Sequence, residues 1–193
     1  MNRALSVMLL AALLGSSVAA RGAEPLAKST PVPMVVEQAP DPGALPDAVT
    51  AHTLTLDGRP MPYTARAGTI TLYDQDEHPT ARVFYTAFNA DGSNALTRPV
   101  TFIYNGGPGS STMWLRMGSF GPGRVLAANG EASGPPPYRI VENQYSLLDK
   151  SDLVFIDMPD SGFGRILNGK EKDFFGVDQD VAAFGQFITR YIS

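Results

Sequence analysis

The stretch Asn105-Gly106-Gly107-Pro108-Gly109-Ser110-Ser111 packs three glycines into four residues, directly behind an apolar, β-prone run, Val100-Thr101-Phe102-Ile103-Tyr104. Glycine loses much conformational entropy when ordered, so this density requires backbone in unusual φ/ψ or in close approach to a ligand. The next segment, Thr112 to Met117, is long enough for a helical turn or two. The pattern predicts strand, glycine loop, helix. Bare N–H groups at the carboxyl end of a strand form a nest for an anion. A tight strand-to-helix turn without chemistry is the competing reading.

The surrounding pattern predicts an α/β fold. Thr53 to Leu56, Asp57-Gly58 and Met61 to Ala65 alternate like a hairpin turning at Asp-Gly. Ile70 and Leu72 alternate with Thr69, Thr71 and Tyr73, and the charged loop Asp74 to Pro79 leads to Ala81–Phe88. These predict antiparallel strands. Val100–Tyr104 and Leu153–Ile156 are apolar without strict alternation, which predicts parallel strands covered on both faces. Val177, Val181, Phe184, Ile188 and Tyr191 mark one face of an amphipathic helix, roughly 22 Å long at ~1.5 Å per residue. Asp178 and Asp180 fit its first turn, where negative charge is favoured.

Residues 1–20 carry Arg3, an apolar run from Ala4 to Leu14 and a small-residue end, Val18-Ala19-Ala20. This is the pattern of a cleavable secretory signal, cut after Ala20, and it predicts a periplasmic or extracellular protein with no membrane span in the mature chain. Residues 21–50 are proline-rich without sustained period and read as a flexible leader. Residues 51–193 are then the folded domain. With no cysteine the chain uses no disulfides, and a net charge of −4 without basic blocks argues against nucleic acid as a partner.

The string NGGPGSS, with Gly121-Pro122 sixteen residues after Asn105, resembles the oxyanion-loop signature of the serine carboxypeptidases, a branch of the α/β-hydrolases. A second block, Tyr145-Ser146, then Leu153–Asp157 and Pro159–Gly164, resembles that family's next segment in the same order. The resemblance covers roughly residues 81–193. It implies that the N–H of Gly107 donates to the oxyanion, while Asn105 and the N–H of Gly106 hold the substrate's terminal carboxylate. A neutral amide and bare N–H groups suit that task because they add no buried charge. The family's acidic partner in carboxylate recognition is Ser119 here, and its tryptophan before the asparagine is Ile103. Asp160 and Ser161 also depart from its pattern.

An acyl-transfer hydrolase needs a nucleophile, a base, an acid to orient the base, and oxyanion donors. The Gly-x-Ser-x-Gly elbow that carries an α/β-hydrolase nucleophile occurs nowhere in the sequence. By resemblance the serine lies one strand beyond the helix that ends near Ser193, with the acid and histidine later still. The expectation is an incomplete α/β-hydrolase: the oxyanion-loop half without the triad, inactive alone and poorly soluble, with an apolar sheet edge open to association. His52 and His78 read as solvated or structural. No histidine and carboxylate pair has metal-ligand spacing, so neither metal nor cofactor is expected. Asp157 reads as the anchor of the loop after its strand. Trp114 could line the pocket or serve as a core or interface aromatic.

Three function classes follow. The first is a secreted serine carboxypeptidase acting on peptides with a free C-terminus. The second is another acyl-transfer chemistry on the same scaffold, an esterase or acyltransferase, which the changes at Ser119 and Ile103 favour. The third is a non-catalytic module that binds a carboxylate in the glycine nest.

Overall fold

A computed structural model describes residues 46–94, 96–106, 109–127 and 135–193. The signal, all but the end of the leader, and Gly107 lie outside the described residues. In chain order the elements are β1 (Ala48–Leu56), β2 (Arg59–Tyr73), β3 (Pro79–Ala90), β4 (Val100–Tyr104), α1 (Met113–Leu115) and a π-helical turn, Arg116–Phe120. Next come β5 (Gly123–Val125), β6 (Ile140–Glu142), a 3-10 turn at Leu147–Asp149, β7 (Asp152–Asp157) and β8 (Arg165–Ile166). A second 3-10 turn, Glu171–Asp173, precedes α2 (Val177–Ile192).

The main sheet runs β1-β2-β3-β7-β4, with β8 joined to the end of β3, while β5 and β6 form a separate antiparallel pair. β1, β2, β3 and β7 pair antiparallel in that order. β4 and β7 pair parallel, Val100 facing Asp152 and Tyr104 facing Ile156, as the two apolar runs predict. The hairpin turn falls at Asp57-Gly58, both at positive φ (48° and 72°). Positive φ at both central residues is the backbone a tight two-residue hairpin needs, and it is why Asp-Gly marks one in sequence. β2 is one continuous strand through Ala65–Gly68, where the sequence shows two separate alternating segments. β1 starts at Ala48, because Ala67 and Arg66 lie opposite Ala48 and Val49 and supply the pairing.

Side chains of β7 alternate between two cores, as a pleated strand requires. Val154 and Ile156 join Leu72, Ala81, Val83, Tyr85, Ala87, Phe174, Ala183 and Phe187 under α2. Leu153 and Phe155 join Leu54, Phe88, Ile103 and Leu148 on the other face. Every residue of β7 is buried. β4 corrects its half of the expectation: it is an edge strand of the described sheet, and only Ile103 in it is buried.

α2 occupies the span that its periodicity predicts, with Asp178 and Asp180 in the first turn. Its buried stripe is rotated. Val177 and Val181 are 80% and 67% exposed, whereas Ala183 and Phe187 are buried, with Phe184, Ile188 and Tyr191 partly so. Phe174 enters the core ahead of the helix. No helix among the described residues is long and apolar enough to cross a membrane.

Candidate functional site

The glycine loop leaves β4 at the carboxyl end of two neighbouring parallel strands, and its exit is tied to the end of the other strand. Thr112 N–H donates to Asp157 Oδ1 at 2.7 Å, and the Ser111 hydroxyl donates to the same carboxylate at 3.1 Å. The Thr112 hydroxyl donates to the carbonyl of Ile156 and accepts the N–H of Asn105 at 3.1 Å. Within the loop the Asn105 amide donates to Ser110 Oγ at 2.6 Å. Gly109 takes φ +86°, a left-handed conformation that glycine adopts without strain. Gly106 is exposed, with open space on its side-chain side.

Asp157 thus anchors a loop 45 residues earlier in the chain, not chiefly the loop that follows it. That following loop, Met158–Gly164, folds back on the same carboxylate. Ser161 N–H donates to the carbonyl of Met158 at 2.9 Å, and Gly164 N–H to that of Ser161 at 2.8 Å. Gly162, at φ +52°, comes so close that a Cβ would sit 1.9 Å from Asp157 Oδ2. Any side chain there would displace the anchor.

The segment after the glycine loop is held by Asn143, which no motif in the sequence marks. Asn143 is fully buried, and its amide donates to the carbonyls of Ser119 and Gly121, at 2.5 and 2.8 Å. Ser146 Oγ donates to the carbonyl of Phe120 at 3.0 Å. These bonds satisfy carbonyls that the short π-helical turn leaves open. In sequence, Asn143 stands two residues before Tyr145-Ser146, with no local pattern to show which carbonyls it reaches.

Beside the loop lies a cavity of about 250 Å³ whose walls include Phe84, Met113, Arg116, Phe155, Asp157 and Phe163. Phe84 and Phe163 meet with ring centroids 5.1 Å apart. Burial holds Arg116 below its ordinary proton affinity, and the nearby Asp157 charge partly restores it. Neither histidine lines this cavity. His52, on β1, stacks on Tyr63 and bonds Thr50, both on the exposed β1–β2 ribbon. Trp114 is 66% exposed and belongs to neither core.

Contrary to the expectation from spacing, one loop does gather two carboxylates and a histidine. Asp74 turns back on its own loop, accepting the N–H groups of Asp76 and His78 at 2.9 and 2.8 Å. This brings one ligand atom from each of Asp74, Asp76 and His78 within 4.8 Å of one another. All three are exposed, and the bonds from His78 first and then Asp76 lower the proton affinity of Asp74. The turn accounts for the cluster without an ion.

The chain is similar to the pheromone-processing carboxypeptidase KEX1 of Saccharomyces cerevisiae strain ATCC 204508 / S288c, with 32% identity over 125 residues. The KEX1 proteins of strains JAY291 and Lalvin EC1118 / Prise de mousse match to the same extent. The match covers 61% of this chain and 16% of each relative, so the chain spans about a sixth of their length. Residues 59–191, which include β2 through nearly all of α2 and therefore the whole site just described, match the serine carboxypeptidase family. The chain belongs to the serine carboxypeptidase family.

Proposed function

We propose that these 193 residues carry the oxyanion-loop half of a secreted serine-type carboxypeptidase, which releases C-terminal residues from peptides through an acyl-enzyme. The observation that supports this most directly is the clasp of Ser111 and Thr112 on Asp157. It holds the glycine loop at the carboxyl ends of parallel strands, where open α/β sheets bind their ligands. In this reading the N–H of Gly107 donates to the oxyanion as it develops, which is worth most when the donor is already in place. Asn105 and the N–H of Gly106 receive the terminal carboxylate of the peptide. Asn105 has one amide hydrogen left for this after its bond to Ser110.

The nucleophile, acid and base are not assigned to any residue here. Ser110 and Ser111 are engaged with Asn105 and Asp157, and no histidine stands beside them among the described residues. The triad is proposed to belong to sequence beyond these residues, and export to follow from the signal pattern of residues 1–20.

The test compares the 193-residue chain with a product extended by the codons that follow Ser193 in its native locus. Both are assayed on N-blocked dipeptides with free or amidated C-termini. The expected result is no turnover by the shorter chain, and turnover of the free acids alone by the longer one. Turnover of free and amidated peptides alike would favour the broader acyl-transfer reading. Binding of free acids without turnover by either product would favour the carboxylate-binding module.

A further inference from the structure

Arg116 lines the 250 Å³ cavity beside the glycine loop, and among the described residues its guanidinium makes no hydrogen bond and no ion pair. Most other polar groups at this place are already engaged, the Thr86 hydroxyl excepted. Asp157 accepts from Thr112 N–H and the Ser111 hydroxyl, and Gly162 closes over its second oxygen. Ser111 Oγ also accepts the N–H of Met113 at 3.2 Å, and the Thr112 hydroxyl bridges Asn105 and Ile156. Asp157 makes the cavity close to neutral in net charge, so long-range attraction does not select its occupant. What selects it is the hydrogen-bond inventory: Asp157, Ser111 and Thr112 are engaged, the Thr86 hydroxyl can donate or accept, and up to five guanidinium donors remain.

Burial takes part of the water from the Arg116 guanidinium without a partner among the described residues, a cost that a carboxylate removes through charge-assisted bonds. Phe84, Phe155, Phe163 and Met113 supply an apolar wall, which suits a methylene stem. The volume is below the roughly 300 to 1,000 Å³ of sites for whole small molecules and fits one side chain. We propose that this cavity is a subsite for an acidic side chain of the peptide substrate, with the carboxylate of a glutamate or aspartate on Arg116 and its stem against Phe84, Phe155 and Phe163. The assignment of a peptide as ligand rests on the carboxypeptidase reading.

The experiment titrates the 193-residue chain with N-acetyl-Ala-Glu and N-acetyl-Ala-Gln, each as free acid and as C-terminal amide. Trp114, the single tryptophan and the neighbour of Met113, gives the fluorescence signal. The Glu peptides are expected to bind at least tenfold more tightly than the Gln peptides in both C-terminal forms. Arg116→Gln should erase that difference, and Arg116→Lys should keep part of it. Equal binding of Glu and Gln peptides to the wild type, a Glu preference that survives Arg116→Gln, or no binding of any peptide would each overturn the subsite. The free-acid against amide comparison reads the carboxypeptidase assignment separately. Discrimination there without a Glu preference removes the subsite alone, and the reverse removes the assignment while the acidic subsite stands.

Discussion

The carboxylate of Asp157 accepts the backbone N–H of Thr112 at 2.7 Å, and so joins the end of β7 to the exit of the loop that leaves β4. Both residues are buried. Replacing Asp157 by alanine leaves the Thr112 N–H without its partner in a place water does not reach, at a cost of about 2 to 3 kcal/mol. Asp157→Asn keeps one acceptor oxygen for that N–H and should cost roughly half as much. Urea unfolding midpoints of the two variants check the order. Equal losses would mean that charge, and not the hydrogen bond, holds the loop.

Gly162 and Gly58 both have positive φ, at 52° and 72°, but only Gly162 lacks room for a Cβ. Gly58→Ala meets nothing within 4 Å, so its cost is the left-handed backbone alone, about 1 kcal/mol. Gly162→Ala adds a collision with Asp157 and should cost on the order of 3 kcal/mol or more. The same variant should weaken the Ser111 and Thr112 clasp, seen as faster amide hydrogen exchange at Thr112. A Gly162→Ala chain as stable as Gly58→Ala would show that the loop can retreat from the carboxylate.

The features legible in sequence are those whose cause is local. Asp57-Gly58 fixes its turn by backbone preference, and the run Leu153–Ile156 declares a strand buried on both faces by lacking any polar alternate. The span of α2 follows from its own period. Which stripe of α2 is buried does not, because the stripe through Val177 and Val181 shares Phe184, Ile188 and Tyr191 with the one through Phe187. Only the position of the sheet beneath the helix, and Phe174 filling the core ahead of it, decides between them. The site was legible as a string and not as an arrangement. NGGPGSS names the loop, but Asp157, Asn143 and Arg116 reach it from 45, 22 and 11 residues along the chain or more, measured to Thr112, Gly121 and Asn105. Spacing along the sequence carries no trace of such contacts.

The rotated stripe is open to measurement. Phe187 is fully buried against Tyr85, Phe102 and Tyr191, so Phe187→Ala should cost about 3 to 5 kcal/mol. Val181 is 67% exposed, and Val181→Ala should stay within about 0.5 kcal/mol of wild type. Alanine's higher helix propensity even favours a slight gain. Denaturant midpoints for the pair separate the two stripes, and a large loss at Val181 would restore the stripe that periodicity alone suggests.

Tyr85 gives the fold an alkaline limit. Its ring is buried, and its hydroxyl donates to Asp47 Oδ2 at 2.9 Å. Burial first, and then Asp47, raise its pKa well above the ordinary phenol value of 10.0. The folded state therefore keeps its proton at a pH where the unfolded chain has lost it. The stabilisation is complete below about pH 10 and declines as pH rises from there towards the folded pKa. Tyr85→Phe removes the titration together with the bond to Asp47, so it should be about 1 kcal/mol less stable at pH 7. It should also lose less stability than wild type between pH 9 and about pH 11. Tyr63 and Tyr191 are also raised, chiefly by burial, so some alkaline decline should persist in the variant. Urea midpoints of both proteins across that range decide the matter, because parallel declines would place the alkaline limit on those two tyrosines and free Tyr85 from it.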